Sequence, residues 1–259
     1  MLRLLIVTLH VDEPQLALQS LQISALKDME EYHIKHVVIS GMAAKEAMLQ
    51  LFQEIKTHSG YDYFIKLDAD MTFRDLDGLG ELIRRAQAIG KPRYTVSVYD
   101  HATKLNIFGL HVVDISSIDS TNSITELKRD DWLGQIAGDS VILKKPIIDH
   151  CVNPSDFQLY TFGYNRGIKN KLKKQNVLPI LVVSAFNCVF DRRYKLVIKG
   201  FFDGYEKSQP QFNYADVESS YFKKQRIKGS VLIPFVKNNI LQMPKAIIIA
   251  IYLRLKSKM

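Results

Sequence analysis

Short apolar runs alternate with helix-like stretches over the first hundred residues, and that alternation narrows the chain to few folds. Leu2–Leu9 reads as a buried strand stopping at polar His10 and Asp12, and Pro14 sits where a helix carrying Leu16, Leu18, Leu21 and Ile23 can start. Val37-Val38-Ile39 is a second strand, broken at Ser40-Gly41. Between Ala44 and Lys56, the residues Ala47, Met48, Leu51, Phe52 and Ile55 share one helical face, with Glu46, Gln50, Gln53 and Glu54 opposite. Tyr61–Leu67 is a third strand, ending at Asp68; a helix pattern runs from about Leu76 to Ile89, closed by Gly90 and Pro92, and Tyr94–Tyr99 is strand-like again. Strand, helix, strand, helix, strand predicts a doubly wound α/β sheet whose early strands run parallel. Ligands of such sheets bind beyond the carboxyl ends of the strands, where His10, Ser40 and Asp68 fall, with Thr8 just inside the first strand.

Beyond Leu105 the pattern is less regular, with Ile107–Val113, Val141–Leu143 and Leu178–Val183 as strand candidates and no evident linker between independent domains. Hydrophobic residues make up 47% of the 259, enough to bury a sizeable core. The two cysteines, Cys151 and Cys188, form neither a disulfide framework nor a metal-site spacing, which fits a reduced, cytoplasmic compartment. No apolar stretch approaches the roughly 20 residues of a membrane-spanning helix. Of the net charge of +8, residues 223–259 supply more than the whole, with nine Lys or Arg and no acid. The rest is near neutral, which argues against a nucleic-acid binder with charge spread over its surface.

The feature richest in chemistry is Tyr63-Phe64-Ile65-Lys66-Leu67-Asp68-Ala69-Asp70, an apolar strand ending in two carboxylates at i and i+2. In extended backbone two such side chains point the same way, and they repel each other unless a cation lies between them. Mg²⁺ and Mn²⁺ take oxygen ligands and share them with substrate phosphates, so Asp68 and Asp70 are expected to hold one of these ions. Lys66, inside a strand that should be buried, needs an anionic partner; Asp68 or a bound phosphate would serve. Lys45, in the first turn of its helix, is unfavourably placed against the helix dipole unless a phosphate lies near.

Two stretches together carry a family resemblance. Asp68-Ala69-Asp70 resembles the Asp-x-Asp strand of the family-2, GT-A-fold glycosyltransferases. Far along the chain, Ser184–Arg193 resembles an apolar strand of that family, and Gly200-Phe201-Phe202-Asp203 its Gly-Gly-Phe-Asp turn. Tyr214-Ala215-Asp216-Val217-Glu218, with Arg226-Ile227-Lys228-Gly229 after it, resembles the Glu-Asp helix start. The resemblance covers roughly residues 1–100 and 180–230. It implies a mixed α/β sheet flanked by helices, with residues 1–230 as the transferase domain (1–100 the nucleotide-sugar half, 101–230 the acceptor half) and an insertion in mid-chain. It also implies a UDP- or GDP-sugar donor with Mn²⁺ or Mg²⁺, a saccharide or lipid-linked acceptor, and Asp216 as general base. The donor would meet Thr8, His10, Ser40, Lys45, Lys66 and Asp68. Independently, an Asp at a helix start is kept ionised by free backbone N–H groups and can take a proton from an acceptor hydroxyl; a plain N-cap is the alternative.

Between the two stretches, Asp149–Ser155 and Phe157–Arg166 gather His, Asn, Gln and aromatic residues in what reads as a sugar- or phosphate-binding loop, and His150 is a candidate third metal ligand beside a purely structural role. Arg166, Lys169, Lys171, Lys173 and Lys174 form a basic run, either a solvated helix face or an anion contact. Residues 231–259 mix lysines with apolar residues and read as a basic amphipathic helix on an anionic membrane surface, or else as a helix packed on the core. A cytoplasmic, peripherally membrane-bound enzyme of bacterial surface polysaccharide or lipopolysaccharide synthesis is the resulting expectation. Two alternatives stand beside it. Asp68-Ala69-Asp70-Met71-Thr72 also fits the opening of haloacid-dehalogenase-type phosphatases with Asp68 as nucleophile, and Ala215, where the family usually has Glu, leaves room for a non-catalytic carbohydrate-binding relic.

Overall fold

A computed structural model of the chain describes residues 1–11, 13–42, 44–74, 77–103, 105–118, 140–172, 178–207, 214–222, 244, 246–249 and 251. Residues 226–229 and nearly all of the 231–259 tail therefore lie outside the described residues, as does the whole mid-chain segment 119–139. The chain divides into two compact units: residues 1–100 with 106–152, and residues 101–105 with 153–259.

The first unit is built on a seven-stranded mixed sheet in the order β2-β1-β3-β6-β5-β7-β4. Its strands are β1 (Leu2–His10), β2 (Tyr32–Ser40), β3 (Tyr63–Asp68), β4 (Met71–Phe73), β5 (Arg93–Asp100), β6 (Leu105–Asp114) and β7 (Ser140–His150). β1 runs parallel to β2 and to β3, as the alternating pattern predicts, with His10 opposite Ser40 and Leu9 opposite Asp68. β6 then runs antiparallel to β3, and β4 antiparallel to β7, while β5 and β7 are parallel.

Three helices cover the sheet, α1 (Leu16–Lys27), α2 (Ala44–Thr57) and α3 (Asp77–Ile89). The strand residues alternate between its two faces. Leu4 and Ile6 of β1, with Ile65 and Leu67 of β3, pack with Ile23 and Leu26 of α1 and Leu79, Leu82, Ile83 and Ala86 of α3. Leu5, Val7 and Phe64 point the other way, to Met48, Leu51, Phe52 and Ile55 of α2. Both α2 and α3 bury residues at i, i+3, i+4 and i+7, the stripe a helix lays on a sheet. Gly90, at φ +62°, ends α3 in the left-handed conformation glycine adopts without strain.

The second unit contains α4 (Asp156–Lys171), α5 (Leu178–Asn187), α6 (Lys195–Glu206) and α7 (Tyr214–Phe222). Three expectations are corrected here. Leu178–Val183, expected as a strand, opens helix α5. A short wholly apolar run has no periodicity to separate buried strand from buried helix, and Pro179 fits a first helical turn but not a central strand. The segment 156–166, expected as a binding loop, is the body of α4. Ser155 caps it by accepting from Gln158 N, and the Gln158 side chain accepts from Ser155 N in return.

Gly200-Phe201-Phe202-Asp203, expected as a turn, lies within α6. Its glycines serve close helix packing instead. A Cβ on Gly200 would lie 2.1 Å from Tyr160 O and one on Gly204 2.1 Å from Tyr164 O, both in α4. Reciprocally, Gly163 and Gly167 of α4 would put a Cβ 2.0 Å from Val197 O and Phe201 O. Asp203 belongs to the same packing, accepting from Tyr160 Oη at 2.6 Å and from Lys199 Nζ at 2.8 Å.

Candidate functional site

Four strand ends of the first unit converge on one cluster. β3 stops at Asp68, Ala69 and Asp70 form a tight turn, and the chain returns as β4, whose Met71 pairs with His150 at the end of β7. Cys151 N donates to Asp70 O at 2.8 Å, so the Asp70 turn and the end of β7 are tied backbone to backbone. β5 lies on the other side of β7 and brings its last residue, Asp100, opposite His150.

This geometry separates the two carboxylates of the motif. Ala69-Asp70 is a turn rather than extended strand, so Asp68 and Asp70 acquire different partners. Asp68 is 43% exposed and receives Lys66 Nζ at 2.5 Å, the anionic partner that a lysine within β3 requires. Asp70 is 15% exposed. Its Oδ2 lies 3.2 Å from His150 Nε2 and accepts from Cys151 Sγ at 3.0 Å, and its Oδ1 is buried without a hydrogen-bond partner among the described residues. His150 Nδ1 is 2.8 Å from Oδ1 of Asp100, whose side chain is wholly buried. Burial on its own would depress the imidazole, but the charge of Asp70 and the hydrogen bonds to Asp100 and Asp70 outweigh it and hold His150 well above its usual range. Burial, reinforced by Asp70, pushes the Cys151 thiol up to about 12.

Asp70, His150 and Cys151 offer a carboxylate oxygen, an imidazole nitrogen and a sulfur that all lie within 4.8 Å of one another. The buried carboxylate of Asp100 and the partly buried one of Asp70 around one imidazole leave excess negative charge, and the orphaned Asp70 Oδ1 has spare acceptor capacity. Both features fit a divalent cation. Asp149, next in the chain, is engaged by Arg74 Nε at 2.9 Å. Cys151 adopts φ +56°, a left-handed conformation that costs a non-glycine residue about 1–3 kcal/mol and is tolerated where the surrounding structure fixes it.

Helix α1 and its N-cap residue Gln15 support the cluster from beneath with a polar stripe at i, i+4 and i+7. Gln15 Nε2 donates to Val152 O at 2.9 Å, and Gln19 Nε2 donates to Asp68 O at 2.9 Å and Met71 O at 2.6 Å. Gln22 pairs with Phe73 like a neighbouring strand, donating to its O at 2.7 Å and accepting from its N at 2.9 Å. These bonds supply the outer edge of β4 with partners and fix both sides of the Asp70 turn.

The remaining expected residues are distributed as follows. Thr8 is fully buried. Its hydroxyl donates to Gln19 Oε1 at 2.7 Å and lies 2.9 Å from His36 Nε2, which makes it part of the core clasp. His10 and Ser40 end β1 and β2 side by side at the edge where Asp68 ends β3. Lys45 lies in the first turn of α2, its side chain outside the described residues. Asp216 lies in the first turn of α7, in the second unit, 39% exposed, with Lys207 Nζ 3.9 Å from its Oδ1. In the basic run, Arg166 stacks over Phe162 at 5.0 Å, and Lys171 donates to Glu206 O and Lys207 O. No described helix is long and apolar enough to cross a membrane.

Sequence reasoning missed Asp100, Cys151 and the three glutamines. Asp100 had a signal, an acid ending an apolar strand just as Asp68 does. Cys151 had none in its spacing, because its partner Asp70 is 81 positions away and is brought to it only by the β4–β7 pairing.

No protein-family model and no curated protein matches the sequence. Among solved structures the chain is similar to A197 from STIV, at TM-score 0.40 and 13% identity, covering 56% of this chain and 82% of that one. It is similar to a glycosyltransferase involved in glycosylation of the major capsid of PBCV-1, at TM-score 0.38 and 9% identity, covering 59% and 94%. A candidate nucleotide-diphospho-sugar transferase from Desulfovibrio desulfuricans G20 aligns at TM-score 0.38 and 12% identity, covering 75% of this chain and 99% of that one. These likenesses are distant, and the mixed α/β sheet flanked by helices stands on the strand order and pairing described above.

Proposed function

We propose that the protein is a metal-dependent glycosyltransferase that moves a sugar from a nucleotide-sugar donor to a hydroxyl of a saccharide or lipid-linked acceptor. The observation that carries the reading is the Asp70 turn at the carboxyl edge of β3. It gathers the partly buried, incompletely satisfied carboxylate of Asp70, a carboxylate-backed histidine and an exposed Asp68 held by the part-buried Lys66, beyond the ends of parallel strands, where ligands of such sheets bind. Asp70 and His150 are the residues that would hold a cation, with Asp68 and Lys66 next to them for the donor. Bound there, the ion would supply Lewis-acid assistance to the departing nucleoside diphosphate. His10, Ser40 and Lys45 complete the donor side in this reading; Thr8, enclosed in the core clasp, does not touch it.

On the acceptor side Asp216 is the proposed base. It lies in the first turn of α7 and is 39% exposed, accessible enough to accept the proton of the attacking hydroxyl. That oxygen then attacks the anomeric carbon as the bond to the diphosphate breaks. A UDP- or GDP-sugar is the proposed donor, and synthesis of a bacterial surface polysaccharide or lipopolysaccharide the proposed setting, on the cytoplasmic side of a membrane touched by the basic tail. Donor turnover in the Asp216→Asn protein tests the base: sugar-nucleotide binding is retained while transfer falls by about 10²–10⁴. Unchanged transfer refutes the assignment of Asp216.

A further inference from the structure

We infer that the cation site includes the sulfur of Cys151 as a third protein ligand, and that it therefore takes a borderline, thiolate-accepting ion of the Zn²⁺ or Co²⁺ kind rather than the Mg²⁺ or Mn²⁺ expected from carboxylates alone. This deepens the proposed metal site and rests on it, but not on the sugar chemistry.

The donor geometry carries the inference. Bonds of about 2.0–2.1 Å to nitrogen or oxygen and about 2.3 Å to sulfur set tetrahedral donor–donor edges of about 3.3–3.5 Å. Asp70 Oδ2 lies 3.2 Å from His150 Nε2 and 3.0 Å from Cys151 Sγ, so two edges of a tetrahedral face already stand within about half an ångström of that spacing, and the third, from Nε2 to Sγ, is within 4.8 Å. A fourth position is left for a substrate oxygen or water. The imidazole is prepared as a ligand: its Nδ1 is held by Asp100, which turns Nε2 toward Asp70 and makes it the metallating nitrogen. The sulfur is prepared as well. The left-handed backbone at Cys151 and its N–H bond to Asp70 O direct the side chain back over the Asp70 turn instead of along the strand. Hard Mg²⁺ keeps oxygen ligands and gains nothing from a sulfur, whereas Zn²⁺ and Co²⁺ accept carboxylate, imidazole and thiolate together. On binding, the metal–sulfur bond forms as the S–H bond breaks and the metal–nitrogen bond forms as the imidazole gives up its Nε2 proton, and both protons leave to solvent.

Cobalt titration of the full chain tests this, because Co²⁺ bound to a thiolate has a near-ultraviolet sulfur-to-metal charge-transfer band that oxygen and nitrogen ligands lack. The Cys188→Ser protein is the informative one: the chain has two cysteines, so any such band then belongs to Cys151 without that residue being altered. The expected result is a saturating band at one equivalent. Equimolar Zn²⁺ removes it, and Mg²⁺ at about a hundredfold excess leaves it unchanged. In Cys151→Ser the band is lost and Co²⁺ affinity falls at least about tenfold. Absence of the band in Cys188→Ser, or its persistence in Cys151→Ser, overturns the inference. Donor binding separates the two claims. A cobalt–sulfur band with no sugar-nucleotide binding removes the transferase reading alone, and Mn²⁺-supported donor binding without the band removes the Cys151 ligand alone.

Discussion

At the scale of residues, the motif that looked symmetrical in sequence is divided by one turn. Asp68 and Asp70 are two positions apart, yet one is an exposed partner of Lys66 and the other is enclosed with His150 and Cys151. The alternation rule behind the sequence reading needs continuous strand, and β3 ends at Asp68. His36 and His111 show a second residue-level effect. Burial, with Lys27 near one and chiefly Lys66 and Arg93 near the other, lowers both from the usual 6.5 to about 4. Their folded values lie below their unfolded ones, so between about pH 6.5 and about pH 4 the unfolded chain binds more protons and stability falls as pH falls. His150, raised instead, works oppositely: its contribution is complete below its unfolded value and is lost as pH rises through the folded one. The urea midpoint is expected to drop between pH 7 and pH 5, and the His36→Gln/His111→Gln double variant to lose most of that slope. A double variant with an undiminished slope refutes the assignment.

At the scale of elements, the sheet was legible, and of the helical unit only the start of α7 was. α2 and α3 declare themselves because their buried stripes sit at helical spacing against polar faces, and β1 and β3 because apolar runs end at charged residues. α5 is apolar nearly all round and carries no such period. α4 and α6 meet through glycines, whose role is invisible until a neighbouring backbone is 2 Å from where a side chain would begin. The Ser155–Gln158 capping pair was a readable helix start, masked by a composition that suggested a binding loop. The reciprocal glycines make a stability prediction. In Gly163→Ala the new methyl meets Val197 O at 2.0 Å, a backbone atom with no rotamer to yield, so α4 and α6 must separate. A loss of about 3 kcal/mol in unfolding free energy is expected, the upper part of the usual overpacking range. A loss below about 0.5 kcal/mol, measured by urea denaturation, contradicts backbone contact between these helices.

At the scale of the whole molecule, the proposed function has a donor half, resting on the acidic strand end at Asp68–Asp70, and an acceptor half, resting on Asp216 at a helix start. The sequence could suggest both halves because each rests on a local pattern, an acidic strand end and an acidic helix start. It could not reveal what surrounds the first, since Asp70, Asp100 and Cys151 come together only through strand pairing. The central claim is that a cation at Asp70 recruits a sugar nucleotide. The most direct measurement is the thermal shift produced by UDP- and GDP-sugars, with and without Zn²⁺, Co²⁺ or Mn²⁺, in the wild-type and Asp70→Asn proteins. The account predicts that at about a hundredfold excess over Kd at least one sugar nucleotide raises the wild-type Tm by about 5 °C or more, only with the cation present, and that Asp70→Asn folds but shows no shift. A shift that survives chelation, or that is undiminished in Asp70→Asn, would contradict it.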